Sequence, residues 1–451
     1  MKAWLRQQAT GLRCRTLAEA LPRGVAYPDT AQYAISNTYW STRQSALEPS
    51  CFVLPASAAE VSEVLKTLTN LRTPCTVRAG GHTLFPGGSN IEDGVTIDFR
   101  LLNEISISKD RSTVSVGPGQ HWVNASTVLD RHGLAVVSGR SPDVGVAGVL
   151  LGGGISFLSG RRGWACDNVQ NYQVVLASGD IINANPKQHK DLYWALRGGG
   201  GSSFGIVTRF DLDAYELDEF WGEQNFWPGT QNRTVLDAFT KIARERLQID
   251  QDAHVWFFLG YLGAGDTPAV TGTFSWHLDY TNPDETPEIF EELRKLPGQI
   301  INETVATTMA GHNRLQGAPY GERWRWWTTT IADGKGGDAF LGEILKLWQR
   351  FTDDLSAAAK VEGCEVGPGL IIQAITSPTR EAMKKRGGNA LGLEPGEAPL
   401  FILHTPTNWT NPSLDHIIEG RSQKLIRDID NLAEKKGFGN GFKRTGTDCS
   451  R

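Results

Sequence analysis

The chain has 451 residues, with 45 Lys and Arg against 50 Asp and Glu and a formal net charge of −5. At roughly 150 residues per domain it has room for about three units, or two large ones, with buried cores. A 40% hydrophobic and 21% charged composition excludes a disordered chain or a coiled coil, the near-balance of charge without a dense basic run excludes nucleic acid as main partner, and no stretch approaches the roughly 18 apolar residues of a membrane span.

In chain order, residues 1–21 carry Arg6, Arg13 and Arg15 without an uninterrupted apolar run, so no signal peptide is visible. Ser57-Ala-Ala-Glu60 matches a capping box, and Val61, Val64, Leu65 and Leu68 follow at helical spacing, predicting a helix to about residue 70. A short strand over 75–79 runs into Gly80-Gly81-His82, followed by a second pair, Gly87-Gly88. Alternation predicts strands at 95–99 and 113–116, a helix spans 122–131, and 172–184 reads as a hairpin turning at Ser178-Gly179-Asp180. To residue 212 the chain is an α+β unit of short strands and glycine-rich turns.

Beyond residue 215 tryptophans multiply, 14 in the whole chain. Strand-like segments lie at 253–262, 270–279, 323–331 and 369–376, and amphipathic helices at 233–248, 287–296 and 338–360. That pattern predicts a sheet covered on one face by helices, its other face free to wall a pocket. A strand at 400–404 and a helix near 414–435 follow. The expected division is 1–212, 213–394 and a C-terminal segment, 395–451.

Six cysteines without Cys-x-x-Cys spacing weigh against zinc, and no metal site is expected. A disulfide from Cys14 to Cys51 or Cys75, or free buried thiols, are both open. Four glycosylation-type triplets, at Asn124, Asn232, Asn302 and Asn408, are little more than chance supplies.

Three glycine clusters carry the chemistry. Val77-Arg-Ala-Gly-Gly-His-Thr83 takes a strand into a turn whose successive N–H groups suit a pyrophosphate. Gly139-Arg-Ser-Pro-Asp-Val-Gly-Val-Ala-Gly148, then Gly152-Gly-Gly154, is a poor helix whose glycines predict close backbone approach. Its spacing does not fit Gly-x-Gly-x-x-Gly, which argues against a Rossmann site. Arg197-Gly-Gly-Gly-Gly-Ser-Ser-Phe-Gly-Ile-Val207 leads into a strand.

In this order, Arg78-x-Gly-Gly-His82, Pro142-x-Val-Gly145 and Gly205-Ile-Val207 resemble the FAD-linked oxidoreductases with a PCMH-type FAD-binding domain. These are the vanillyl-alcohol-oxidase superfamily, and the branch resembled is that of the fungal relatives of berberine bridge enzyme and 6-hydroxy-D-nicotine oxidase, which implies a role in fungal secondary metabolism. The resemblance covers 25–212 strongly and 370–410 weakly, through Gly387-Gly-Asn-Ala-Leu-Gly-Leu393 and Trp409. It implies a two-subdomain FAD fold, with a small-molecule substrate and molecular oxygen as partners.

By resemblance Ala79, Gly80, Gly81, Thr83 and Gly88 cradle the pyrophosphate, and His82 bonds the flavin 8α-methyl carbon. Ser141, Val144, Gly145, Gly148, Gly152 and Gly153 line the cofactor from the other side, while Asn168, Val169, Gly205, Ile206 and Val207 touch its ribityl and adenosine parts. Ser141 stands where doubly tethered members carry a Cys, so His82 is the single expected tether, and Cys166 is expected to be structural. Hydride would pass from substrate to the flavin, whose potential the tether raises, and oxygen would reoxidise it. Gln373, His404 and Trp409 are the candidate catalytic side chains; among them only His404 titrates usefully.

Relatives end in a Tyr-x-Asn-Tyr-like segment that returns to the flavin; residues 435–451 contain no tyrosine, which suggests an altered tail. The family also implies secretion. A cyclase on the same fold, a non-catalytic binding protein and a carbohydrate oxidase are the competing readings.

Overall fold

The computed structural model describes residues 2–261 and 269–439. The N-terminal part builds a four-stranded and a five-stranded sheet, beside a two-stranded pair of Leu134–Ala135 with Tyr215–Glu216. The four-stranded sheet runs in the order Val25–Ala26, Cys51–Val53, Val95–Asp98, Cys75–Arg78, its last three strands parallel. The five-stranded sheet is antiparallel, in the order Ile105–Ile107, Thr113–Val116, Ile206–Asp213, Val169–Val175, Ile181–Ala184. The Ala58–Asn70 helix starts where its sequence predicts, because the Ser57 hydroxyl accepts from the Glu60 N–H at 3.2 Å. The Glu60 carboxylate reaches Ala56 N–H at 2.6 Å, one residue earlier than a capping box requires.

The Cys14 and Cys51 thiols form a disulfide that ties the first helix to the parallel sheet. Cys75, Cys166 and Cys364 are free, and burial pushes the Cys166 thiol well above its ordinary pKa, as suits a structural residue.

The third sheet has seven antiparallel strands in the order Ile301–Thr307, Phe220–Pro228, Val270–His277, Ala253–Gly260, Leu370–Ile375, Leu400–Trp409, Arg323–Ala332, with Val366–Pro368 also paired to the end of Leu400–Trp409. Two of these strands, Phe220–Pro228 and Ile301–Thr307, escape the sequence reading. The first mixes Gly222, Glu223 and Asn225 into buried positions and the second buries little, so neither alternates cleanly.

Successive strand residues point to opposite faces. Val255, Phe257, Leu370, Ile372, Phe401 and Leu403 pack beneath Asn232–Lys241, Gly337–Val361 and Asp415–Lys436. Trp256, Trp276, Phe274 and Ile371 pack instead into the core of the five-stranded sheet. One face is thus covered by helices and the other meets the N-terminal units.

Leu400–Trp409 is an inner strand, and Asp415–Lys436 lies on Gly337–Val361 and Arg323–Ala332. Residues 395–439 thus complete the large sheet, and they also touch the N-terminal part, where Arg43 pairs with Asp415 and Glu419. The altered-tail expectation falls mostly on 440–451, outside the described residues. No helix among those described is long and apolar enough to cross a membrane.

The disulfide spans 37 residues of sequence, a loop whose closure removes about 4 kcal/mol of unfolded-state entropy. Cys14→Ser should lower the stability of the N-terminal unit by about that amount, read as a fall in the denaturant midpoint. An unchanged midpoint would mean that the helix is held by its apolar contacts alone.

Candidate functional site

The strand Cys75–Arg78 ends because Gly81 turns the chain at φ +72°, a backbone region natural to glycine. Arg78 anchors the turn from below. Its guanidinium lies 4.1 Å over the Tyr39 ring, donates to the carbonyls of Ser36 and Thr38, and pairs with Asp98 at 3.9 Å.

The carbonyls of the following loop are tied down. His121 Nε2 lies 3.2 Å from Gly80 O, Gln44 Nε2 donates to Thr83 O at 3.2 Å and to Phe85 O, and Arg43 donates to Leu84 O at 3.3 Å. The main-chain N–H groups of residues 80–84 meet no acceptor among the described residues. A stretch with engaged carbonyls and free N–H groups is positively polarised and suits an anion such as a pyrophosphate.

The second loop closes on it. A Cβ on Gly80 would sit 2.4 Å from Gly145 Cα, and one on Gly145 would sit 2.5 Å from Gly80 N, so both must be glycine. Gly88 is equally confined, its Cβ falling 2.3 Å from Thr83 Cγ2. Ala79 packs between the cores of the two small sheets, Val144 against that of the five-stranded sheet and Ile206 against that of the four-stranded one. Ser141 keeps part of its surface open. The residues present therefore fit the pyrophosphate part of FAD.

His82 stands at the lip, stacked 3.8 Å from the Trp40 ring, which stacks in turn on Trp324 at 4.8 Å. Burial pushes its pKa down to about 4, so the imidazole is neutral at physiological pH. Trp40 is a site residue the sequence reading missed, since Tyr39-Trp40-Ser41 lies in no periodic segment.

Other expected residues are spent on the protein itself. Asn168 donates to the carbonyls of Arg162 and Trp164 and accepts from Tyr215, which leaves its amide nothing for a ligand but one lone pair. Val169 and Val207 are buried in the core of the five-stranded sheet. Gly205 holds φ +142° against Val174 and Val175, and Gly153 holds φ +110° against Trp164 and Leu391. Gly148 and Gly152 are exposed.

On the large sheet, strand alternation puts His254, Trp256, Ile371, Gln373 and His404 on the face turned to the glycine loops. Gln373, buried, leaves its Oε1 without a partner. His404 Nδ1 lies 3.0 Å from Thr328 Oγ1, and burial, aided by the nearby Arg140 charge, pushes its pKa down to about 4. Trp409 has the opposite parity. It is buried under the helices and donates to Asp415 at 2.8 Å, so it does not reach this face. Arg323 and Arg325 likewise pair with Asp415 and Glu419.

Sequence reasoning also missed Arg140 and His254. Asn313 donates to the carbonyls of Gly139 and Arg140 at 3.1 and 2.8 Å, fixing this turn. Arg140 lies 4.1 Å over the Trp256 ring and donates to His254 Nε2 at 2.7 Å. An arginine does not accept, so His254 carries its proton on Nδ1. The signal was present in the alternation of His254 with Trp256, but nothing in the sequence joins Arg140 to it.

A family model for the FAD-binding domain matches residues 49–185. Over 419 residues the chain is 34% identical to FAD-dependent monooxygenase FUP4 of Fusarium proliferatum, covering 90% of this chain and 78% of that protein. It is 32% identical to FAD-dependent monooxygenase tpcD of Cochliobolus heterostrophus, covering 92% and 80%. The fold matches 6-hydroxy-D-nicotine oxidase from Arthrobacter nicotinovorans with a TM-score of 0.72 at 21% identity, over 93% of this chain and 87% of that one. Berberine bridge enzyme from Eschscholzia californica matches with a TM-score of 0.70 at 16% identity, over 95% and 86%.

Two outcomes follow from this geometry. Gly80→Ala or Gly145→Ala should abolish most flavin retention, read from visible absorbance, whereas Gly420→Ala, with open space around its Cβ, should retain it. His82, His312 and His404 have pKa values pushed from 6.5 to about 4. Between those values the unfolded chain binds more protons, so stability is full above about pH 6.5 and is lost as pH falls towards 4. Melting temperature measured across that window should drop steeply; a flat profile would contradict neutral imidazoles.

Proposed function

The chain belongs to the FAD-dependent oxidoreductases with a PCMH-type FAD-binding domain and takes FAD as its cofactor, and we propose that it oxidises a small, largely aromatic or apolar organic substrate, with molecular oxygen as electron acceptor. The observation that carries this reading is the loop of residues 80–84, its N–H groups free and its neighbouring carbonyls engaged, facing Gly145. When bound, the flavin supplies a hydride acceptor and passes the electrons to oxygen.

The chain's own residues do the rest. The N–H groups of residues 80–84 hold the pyrophosphate. Neutral His82 has a nitrogen lone pair available for the covalent tether, and Ser141 has no thiol for a second one. Trp256, Trp276 and Phe274, packed into the core of the five-stranded sheet, exclude water from the sheet face. Gln373 Oε1, buried without a partner, accepts a substrate O–H or N–H and so orients it. His404 meets Thr328 Oγ1 through Nδ1, and in the tautomer protonated there Nε2 is free to take a proton from the substrate.

The fungal relatives, named as FAD-dependent monooxygenases, favour a second reading, monooxygenation, in which one oxygen atom enters the product. Turnover under isotopically labelled oxygen separates the two. Label in the product would establish monooxygenation, whereas stoichiometric hydrogen peroxide with unlabelled product fits an oxidase.

The tether has a direct test. After acid precipitation the yellow colour should stay with the wild-type pellet and move to the supernatant for His82→Ala. Colour in the wild-type supernatant would refute the covalent bond. His404→Gln should lower kcat by about a hundredfold or more while leaving flavin bound, the usual cost of losing a general base. A kcat within a few-fold of wild type would remove His404 from proton transfer.

A further inference from the structure

Against the sheet face turned to the glycine loops lies a cation, Arg140, that pairs with no carboxylate among the described residues; burial pushes its pKa down to about 9. Its neighbours are the neutral His254, 2.7 Å away, and the Trp256 face at 4.1 Å. An imidazole and a ring face solvate a guanidinium only partly, and a buried charge left so is costly. The same charge also acts on His404, further along the face.

The residue is not loose. Asn313 clamps its carbonyl at 2.8 Å, and Ser126 donates to Asn313 in turn at 2.8 Å. The guanidinium is thus preorganised, with one N–H face given to His254 and none of its nitrogens both sealed from solvent and unpartnered. A second, independent feature lies on the same wall. Gln373 is paired in register with Trp256, the residue under Arg140, and is 4% exposed with an Oε1 that has no partner. Here a half-buried donor fork and a buried acceptor flank one tryptophan.

Resting on the FAD-linked reading above, we propose that Arg140 recognises a planar oxyanion of the substrate, a carboxylate or an ionised phenol or enol, while Gln373 accepts a neighbouring substrate O–H or N–H. The planar fork matches a carboxylate in two parallel hydrogen bonds, which an ammonium cannot do. Bringing in a negative group replaces missing solvation of the cation, so the oxyanion is favoured over an uncharged analogue of the same shape. Trp256 meanwhile offers its ring edge and the remaining aromatic wall to the substrate's body. The substrate class is therefore a small aromatic or conjugated acid, and the group anchored at Arg140 lies on the His404 side of the sheet.

The test is binding of benzoate and of the isosteric, uncharged benzamide to the purified holoenzyme, followed by calorimetry and by perturbation of the visible flavin band. Benzoate should bind about tenfold or more tightly than benzamide, the usual worth of a charged hydrogen-bonded pair. Arg140→Gln should erase that difference with flavin content unchanged, and Arg140→Lys should restore it in part. Equal affinities in the wild type, the absence of binding by either probe, or full benzoate affinity in Arg140→Gln would each overturn the proposal. A variant that keeps benzoate affinity but shifts the flavin potential would assign Arg140 to the cofactor instead, which also overturns it. Should Arg140→Gln fail to fold, Arg140→Lys carries the comparison by its loss of bidentate geometry. Protein that purifies colourless would sink the flavin reading alone, because calorimetry still ranks benzoate against benzamide.

Discussion

The arrangement of the site depends on one division of main-chain polarity. In the loop after Cys75–Arg78 the carbonyls of Gly80, Thr83, Leu84 and Phe85 are engaged by His121, Gln44 and Arg43, and the N–H groups of residues 80–84 are not. A carbonyl and an N–H in the same peptide have opposing ends, so fixing the first outward aims the second inward. The segment 36–45 therefore supports the site from beneath. It supplies Arg43, Gln44 and the Tyr39 ring beneath Arg78. A mildly acidic protein can in this way hold a doubly charged pyrophosphate without a cluster of lysines.

The same constraint accounts for the glycines that matter. Gly80 follows the strand Cys75–Arg78 and Gly145 precedes the short helix Val146–Leu151, and the two meet backbone to backbone, leaving no space for a Cβ on either. This contact fixes the two loops against each other. Not every glycine serves it. Gly153 and Gly205 adopt positive φ to fit against Trp164 and Val174, and Gly148 has open space around it. A cluster of glycines thus mixes residues that admit a ligand with residues that admit another side chain.

The large sheet contributes by having two unlike faces. Helices seal one with aliphatic side chains and with Trp221, Trp227 and Trp409. The other collects His254, Trp256, Gln373 and His404, polar groups set among aromatic rings against the first domain. Burial there keeps the imidazoles neutral, and among the described residues Arg140 pairs with no carboxylate. Neutral acceptors beside one uncompensated cation form a surface that discriminates by charge as well as by shape.

Much of this was legible along the chain. Local signals do not depend on partners, so Ser57 predicted the Ala58–Asn70 helix and alternation predicted Ala253–Gly260 and Leu400–Trp409, though the latter runs five residues further than its apolar core suggested. The glycine motifs, joined to the resemblance they carry, identified the cofactor class. What they left open was decided by contacts between residues far apart in sequence. Whether Cys14 pairs with Cys51, whether Trp409 or Gln373 faces the cleft, and whether Arg140 meets a carboxylate or an imidazole all depend on strand register and sheet packing. Residue type and local spacing determine which groups the chain owns and which turns it can make; only the folded arrangement, through one-residue parity on a strand and the meeting of two loops, determines which of those groups share a space.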